Sequence, residues 1–128
     1  MSDDERITKV FFDPGHYTVL ENVGQWTATV VRRGGNLDHV VLVDYKSEDG
    51  TASGDQDYVS MAGTIAFPPG ETSRSLIVEV IDDDVFEEDE HHYLRLNNPR
   101  FASAAQGAEV QLGSPYLATA IVLDDDHC

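Results

Sequence analysis

Short stretches in which hydrophobic and polar residues alternate run along most of the chain, and turn residues separate them. In residues 25–33, Trp26, Ala28 and Val30 fall on one face, because successive side chains of a β-strand point to opposite faces. Clusters such as Asp13-Pro14-Gly15 end these stretches, and such residues are typical of turns. The pattern predicts an all-β sandwich of about seven or eight strands. The predicted strands are 7–12, 16–20, 25–33, 39–46, 63–67, 74–81, 91–96 and 116–123.

The chain has 128 residues, which is enough for one domain with its own hydrophobic core. We expect residues 1–6 to be an acidic, disordered tail, residues 7–126 to form the domain, and residues 127–128 to be a truncated linker. Residues 97–114 contain Ala, Ser, Gln and Gly with one Pro, and this composition predicts a long, mobile loop between the last two strands. Within that loop, residues 102–105 could form a helical turn.

The composition argues against several classes of protein. With 24 acidic and 8 basic residues the net charge is −16, whereas nucleic-acid binding needs clustered Lys and Arg. A hydrophobic content of 41% with one Trp, five Tyr and five Phe argues against a wholly disordered chain. No stretch approaches the roughly 20 apolar residues of a membrane helix, and no signal peptide is visible. We therefore expect a domain that is monomeric in isolation, binds no nucleic acid and does not insert into a membrane.

Two acidic runs are the most distinctive feature of the sequence. Residues 82–90 contain seven carboxylates in nine residues, and Asp124-Asp125-Asp126 repeats the triplet near the end of the chain. Each run directly follows a predicted strand, and alternate strand ends meet at one edge of a sandwich. We therefore expect the two runs to lie together. Carboxylates this dense repel one another unless solvent or cations neutralise them, which favours a calcium site, with a solvated acidic surface as the competing interpretation.

Calcium suits such a cluster because it takes six to eight oxygen ligands with flexible geometry, whereas magnesium demands a near-octahedral shell. Zinc is disfavoured because no His/Cys set has the required spacing. Glu21 and Asp57 lie between predicted strands and could complete the shell. So many carboxylates imply several bridged ions, about two to four. The candidate ligands are Glu21, Asp57, Asp82, Asp83, Asp84, Glu87, Glu90, Asp124, Asp125 and Asp126.

Several motifs occur along the chain in the order found in a known family. They are Leu20-Glu21-Asn22, Arg32-Arg33-Gly34-Gly35, Glu48-Asp49-Gly50-Thr51-Ala52, Asp57-Tyr58, Phe67-Pro68-Pro69-Gly70, residues 81–90 and Asp124-Asp125-Asp126-His127. Over nearly its whole length the sequence resembles the Calx-β domain, most of all the first calcium-binding domain of animal sodium/calcium exchangers. The resemblance implies an immunoglobulin-like antiparallel β-sandwich with about four calcium ions at one end. It adds the carbonyl of Val85 to the ligands and makes Glu88 and Asp89 solvent-facing charges.

The resemblance also implies a function. Such a domain would be a regulatory sensor, not an enzyme, that binds cytosolic calcium and activates transport. Its partners would be a second calcium-binding domain and the transmembrane part of a parent exchanger, on the cytoplasmic side of the plasma membrane. Cys128 is the only cysteine, and the lack of an internal disulfide agrees with a reducing compartment. The alternative is an extracellular adhesion or matrix module in which calcium is structural.

Two further positions carry expectations of their own. His92 stands where the family usually has an aromatic or other apolar residue. Its register with Leu94 and Leu96 predicts an inward-pointing, neutral and hydrogen-bonded side chain. Arg32 and Arg33 could form salt bridges with acidic loops, and exposed pairs of this kind contribute roughly 0–1 kcal/mol.

Overall fold

The computed structural model describes residues 7–35, 37–52, 54, 57–81, 89–103 and 107–123. Within them the chain forms nine β-strands and one turn of 3-10 helix, Glu21–Val23. The strands are β1 (Ile7–Phe12), β2 (His16–Leu20), β3 (Gln25–Arg33), β4 (Val41–Asp49), β5 (Ala62–Phe67), β6 (Ser73–Glu79), β7 (Glu90–Phe101), β8 (Glu109–Leu112) and β9 (Leu117–Leu123). In this part of the chain no helix has the length and apolar character that crossing a membrane requires.

The strands form two sheets whose inner faces enclose the core. The first sheet has the order β6-β3-β1-β8, and the second has the order β2-β9-β7-β4-β5. Neighbouring strands are antiparallel except for β1 with β8 and β2 with β9, which are parallel. The chain passes from the first sheet to the second in the short turn between β1 and β2. The predicted all-β sandwich is confirmed.

The main difference from the predicted elements lies at residues 97–114, which were expected to form one long loop. β7 continues as far as Phe101, which pairs with Val41 of β4, and Glu109–Leu112 forms β8 beside β1. Side chains in both stretches are exposed or half-buried. Both stretches pair with a neighbouring strand, and their half-buried Phe101, Val110 and Leu112 pack against the core. Residues 102–103 form a bend, while residues 104–105, the tail 1–6 and the linker 127–128 lie outside the described residues.

The core lies between the two sheets and is built from alternate residues of the strands. Trp26, Ala28 and Val30 of β3 are buried on one face, as their spacing predicts. Fully burying a large apolar side chain stabilises the fold by roughly 1.5–3 kcal/mol. The alternating apolar residues therefore determine which face of each strand points into the core. Other fully buried side chains are Val10, Phe12, Val41, Val43, Phe67, Val78, Leu94 and Leu96.

A buried arginine closes one end of the sandwich. Arg32 is 1% exposed, and burial lowers the pKa of its guanidinium. The prediction that Arg32 forms a salt bridge with an acidic loop is wrong, because its hydrogen bonds in the described structure go to backbone carbonyls. The acceptors, at 2.7–3.1 Å, are the carbonyl oxygens of Leu37, His39, Pro68 and Glu71. Arg33 does form an ion pair, with Asp13 at 2.9 Å, and both side chains are largely exposed.

Candidate metal centre

At the other end of the sandwich, β2, β4, β6 and β9 end and β7 begins. We call this the carboxylate end and define it by Leu20, Asp49, Glu79, Glu90 and Leu123. Leu20 pairs with Leu123, and the start of β7 lies between β9 and the end of β4. The two acidic runs follow β6 and β9. Both strands therefore end where the sequence analysis expected them to meet.

Glu21 and Glu90 flank the point at which β9 ends. Leu20, the residue before Glu21, pairs with Leu123, while Glu90 pairs with Val122. Glu21 is the first residue of the 3-10 turn and is only 7% exposed, whereas Glu90 is half-buried. Since the last acidic run follows Leu123 directly, the chain reaches that run between these two glutamate-bearing segments.

Asp57 is joined to the segment that leads into the first acidic run. The backbone N–H of Ile81 donates to the carbonyl of Asp57 at 2.9 Å. Tyr58, the next residue, forms an antiparallel β-bridge with Val80. The N–H of Val80 in turn donates to the carbonyl of Gly24, which follows the 3-10 turn, at 2.9 Å. These backbone bonds hold the Asp57 loop, the Glu21 turn and the entry to the first acidic run in one place.

The remaining predicted ligands lie outside the described residues. Glu21, Asp57 and Glu90 are described, and each has an interaction partner in the protein. Among the described residues, no three or more His, Cys, Asp or Glu side chains form a group that could hold a metal ion. The complete ligand set thus stays a prediction. The residues it still needs are Asp82, Asp83, Asp84, Val85, Glu87, Asp124, Asp125 and Asp126.

The chemistry of the carboxylate end suits a hard cation. No Lys or Arg occurs in its described segments, which are 20–25, 49–52, 54, 57–59, 79–81, 89–91 and 122–123. These segments bring the carboxylates of Glu21, Asp57, Asp89 and Glu90 to one end of the molecule. Carboxylate oxygens are the ligands that calcium prefers. Asp89 is exposed, in agreement with its expected role as a solvent-facing charge.

His92 is buried beneath this end. It is 0% exposed, and its ring stacks on that of Tyr58 with centroids 3.9 Å apart. Nε2 of His92 accepts a hydrogen bond from Nε1–H of Trp26 at 3.2 Å. Burial lowers the pKa of His92 to about 4, so the ring is neutral near neutral pH. The predicted inward, neutral side chain is confirmed, but its hydrogen bonding is incomplete, because Nδ1 has no partner within the described structure.

Asp49 belongs to this end, although the sequence analysis did not select it as a functional residue. Its Oδ1 accepts hydrogen bonds from the backbone N–H of Gly54 at 2.8 Å and from the hydroxyl of Tyr58 at 2.6 Å. Asp side chains often bond to nearby backbone groups in turns. The signal that could have found it is an aspartate before Gly50, at the start of the loop that carries Asp57.

Comparison with known sequences identifies the family. Residues 3–126 match the sequence profile of the Calx-beta domain. The chain belongs to the Calx-β domain family. The sodium/calcium exchanger Calx of Drosophila melanogaster is 47% identical over 128 residues, and the match covers 98% of this chain and 13% of that protein. Sodium/calcium exchanger 1 of Canis lupus familiaris is 42% identical over 137 residues, and the match covers 99% of this chain and 14% of that protein.

Solved Calx-β structures have the same sandwich. The apo-form Calx CBD1 domain is 47% identical, with a TM-score of 0.83 over 93% of this chain and 98% of that chain. CBD12 from CALX1.2 is 48% identical with a TM-score of 0.83, and the match covers 93% of this chain and 45% of that chain. The Calx CBD2 domain reaches a TM-score of 0.84 at 18% identity, which shows a shared fold alone.

Proposed function

We propose that this Calx-β domain is a calcium-sensing regulatory domain of a sodium/calcium exchanger and binds about four Ca²⁺ at its carboxylate end. The observation that carries the proposal is the meeting of strand ends there. β6 and β9, which precede the two acidic runs, end beside the segments that bear Glu21, Asp57 and Glu90. Neither run could assemble a multi-ion site from one loop, so this convergence is what the proposal needs.

In this proposal the ions would be held by carboxylates from several separate segments. Calcium would offset the negative charge of the carboxylates gathered at this end, and shared carboxylates would bridge neighbouring ions. Val85 would contribute its carbonyl oxygen and the other ligands their carboxylates. The proposed ligands are Glu21, Asp57, Asp82, Asp83, Asp84, Val85, Glu87, Glu90, Asp124, Asp125 and Asp126.

The proposed role is regulatory and not enzymatic. Repulsion among the carboxylates of a chain with a net charge of −16 destabilises the calcium-free protein. A ligand that binds only the folded state stabilises it by mass action. Calcium binding would therefore shift the domain towards an ion-bound state that activates transport, and the stabilising effect would follow calcium concentration over the range of a sensor, about 10⁻⁷–10⁻⁵ M.

The proposed partners are a second calcium-binding domain and the transmembrane part of an exchanger. Two observations support this. The matched relatives are sodium/calcium exchangers of which this chain spans only 13% and 14%. The chain also covers 47% of the matched CBD12 chain of CALX1.1, so a comparable length lies beyond the match. In that setting the domain would work on the cytoplasmic side of the plasma membrane.

Titration calorimetry with calcium in a chelexed buffer tests the proposal. We expect several ions to bind, with dissociation constants of about 10⁻⁷–10⁻⁵ M. Binding only at about 10⁻⁴–10⁻³ M would instead support the structural calcium of an extracellular module. No stoichiometric binding, together with a melting curve that is the same in chelator and in calcium, would leave only a solvated acidic surface.

A further inference from the structure

One carboxylate oxygen closes the loop that carries Asp57. Oδ1 of Asp49, the last residue of β4, accepts hydrogen bonds from the N–H of Gly54 and from the hydroxyl of Tyr58. A Cβ at Gly54 would lie 3.2 Å from this oxygen and would collide with Oγ of Ser60. The backbone therefore approaches Asp49 closely at a position where a side chain would collide with the neighbouring loop.

Tyr58 transmits this closure to the parts of the carboxylate end that bear candidate ligands. Its side chain is 1% exposed and stacks on His92 at 3.9 Å, two residues after Glu90. Its backbone bridges to Val80, and the carbonyl of Asp57 accepts from the N–H of Ile81. Fixing Tyr58 therefore fixes the backbone of Asp57 relative to β7 and to the residue that precedes the first acidic run.

We propose that Asp49 is a positioning residue for calcium binding: its carboxylate acts as a hydrogen-bond acceptor that places Asp57, and it does not coordinate the ion. This inference rests on the proposed function, because it assigns a role at the same end of the molecule. Hydrogen-bonded partners that orient metal ligands typically change metal affinity about 10–100-fold when they are removed. Asp49 differs from a charged ligand in one testable respect, which is that its role needs an acceptor oxygen but no negative charge.

Three variants separate positioning from coordination. Asp49→Ala removes the acceptor and the charge, whereas Asp49→Asn removes the charge but keeps an Oδ1 that can accept from both donors. Tyr58→Phe removes one of the two bonds and keeps a ring that can stack on His92. Asp38→Asn is the matched control, because it removes one negative charge from an exposed loop whose neighbour Leu37 contacts Arg32 at the opposite end.

The experiment measures calcium affinity by calorimetry and, in chelator, the hydrogen exchange of the Gly54 amide. We expect Asp49→Ala to weaken binding about 10–100-fold and to accelerate Gly54 exchange, and Tyr58→Phe to weaken binding by a smaller factor. Asp49→Asn and Asp38→Asn should both stay within about three-fold of the parent, well short of the loss expected when an orienting partner is removed. Rescue of affinity by Asn would show that the acceptor oxygen matters and the charge does not. Because an Asn oxygen can also coordinate calcium, Gly54 exchange in chelator must be restored in Asp49→Asn as well, which only the positioning role requires.

The proposal is overturned if Asp49→Ala binds calcium like the parent, or if Asp49→Asn loses as much affinity as Asp49→Ala. If Asp49→Ala does not fold, the Tyr58→Phe and Asp49→Asn pair decides, since both keep most of the local packing. A parent domain that binds no calcium would sink the proposed function itself. Gly54 exchange in chelator would still show whether Asp49 closes the loop, so the two failures are distinguishable.

Discussion

The indole Nε1–H of Trp26 donates a hydrogen bond to Nε2 of His92 across 3.2 Å. An indole nitrogen can only donate, so Nε2 must accept, and the proton of the neutral ring therefore sits on Nδ1. That buried N–H has no partner among the residues that the structure describes. An unsatisfied buried donor costs about 1–3 kcal/mol. His92 thus links the two sheets through its hydrogen bond with Trp26, while its unsatisfied Nδ1–H lowers the free energy of unfolding.

Replacing His92 with Phe should make the calcium-free protein less sensitive to mild acid. Burial lowers the pKa of His92 to about 4, whereas an unfolded His titrates near about 6.5. As the pH falls, the unfolded state binds the proton first. His92 therefore lowers the free energy of unfolding progressively between about pH 6.5 and about pH 4, by up to about 3 kcal/mol. Above that window it adds no pH dependence.

Urea unfolding in chelator, repeated from about pH 7 down to about pH 4.5, checks this prediction. The free energy of unfolding of the parent should fall relative to that of His92→Phe as the pH decreases. Carboxylate titration is common to both proteins and cancels in the difference. His16→Gln, at an exposed position of β2, is the control and should follow the parent. Parallel curves for the parent and His92→Phe would contradict the assignment of a buried, neutral His92.

Removing the guanidinium of Arg32 should destabilise the fold severely. Arg32→Met removes a guanidinium that donates hydrogen bonds to four backbone carbonyls in the described structure. The acceptors are the carbonyls of Leu37, His39, Pro68 and Glu71. Hydrogen bonds to a charged group contribute about 1.5–3 kcal/mol each, so losing four of them should cost at least about 3 kcal/mol. Arg33→Met, one residue on, removes an exposed ion pair with Asp13 and a cation–π contact with Phe11, and should cost about 0–2 kcal/mol. Equal urea midpoints for the two variants would show that Arg32 does not hold this end together.

The strands could be predicted where the alternating pattern continues over five or more residues. β1, β2 and β3 have the predicted bounds, since their alternating residues face the core. β8 was missed because its alternation is only four residues long and lies within a stretch rich in Ala, Ser, Gln and Gly. Arg32 was misread as a surface residue, because nothing in the sequence reveals that carbonyls from the nearby loop 37–39 and the distant loop 68–71 converge on it.

Part of the candidate site could likewise be predicted from the sequence, and part could not. That both acidic runs follow strands ending together was predicted from strand position, and the backbone pairing around Leu123 and Ile81 agrees with it. Asp49 escaped notice because its role depends on the folded loop, where one oxygen meets Gly54 and Tyr58. Composition and charge density point to carboxylates that could bind ions. They do not distinguish those that hold the loops in place.

Gly50→Ala should weaken calcium binding as well as stability. A Cβ at Gly50 would lie 2.5 Å from the carbonyl oxygen of His91, the same atom that accepts from the N–H of Ala52 at 3.0 Å. The substitution must push the loop away from the start of β7, at a cost of about 1–3 kcal/mol. Gly70→Ala is the comparison, because its Cβ would meet open space.

Gly70 has a φ of +84°, so Gly70→Ala should cost about 1–2 kcal/mol through backbone strain but leave calcium affinity unchanged. Calorimetry and urea unfolding on both variants give the two quantities. If Gly50→Ala and Gly70→Ala bind calcium equally well, the contact between Gly50 and His91 has no influence on the carboxylate end.

Neutralising Asp57 or Glu90 should have opposite effects with and without calcium. In chelator, Asp57→Asn or Glu90→Gln removes one of several like charges at an end whose described segments contain no Lys or Arg. The free energy of unfolding should therefore stay the same or rise by up to about 1 kcal/mol, because repulsion falls. In saturating calcium the same variants should be less stable than the parent, because the affinity term in the mass-action gain shrinks by about 1.4 kcal/mol for each ten-fold loss. Thermal unfolding in chelator and in saturating calcium measures both effects. The control Asp38→Asn should not reverse the sign of its effect on stability between the two buffers. A variant that is destabilised equally in both buffers would place its carboxylate among the structural contacts of the fold and remove it from the ligand set.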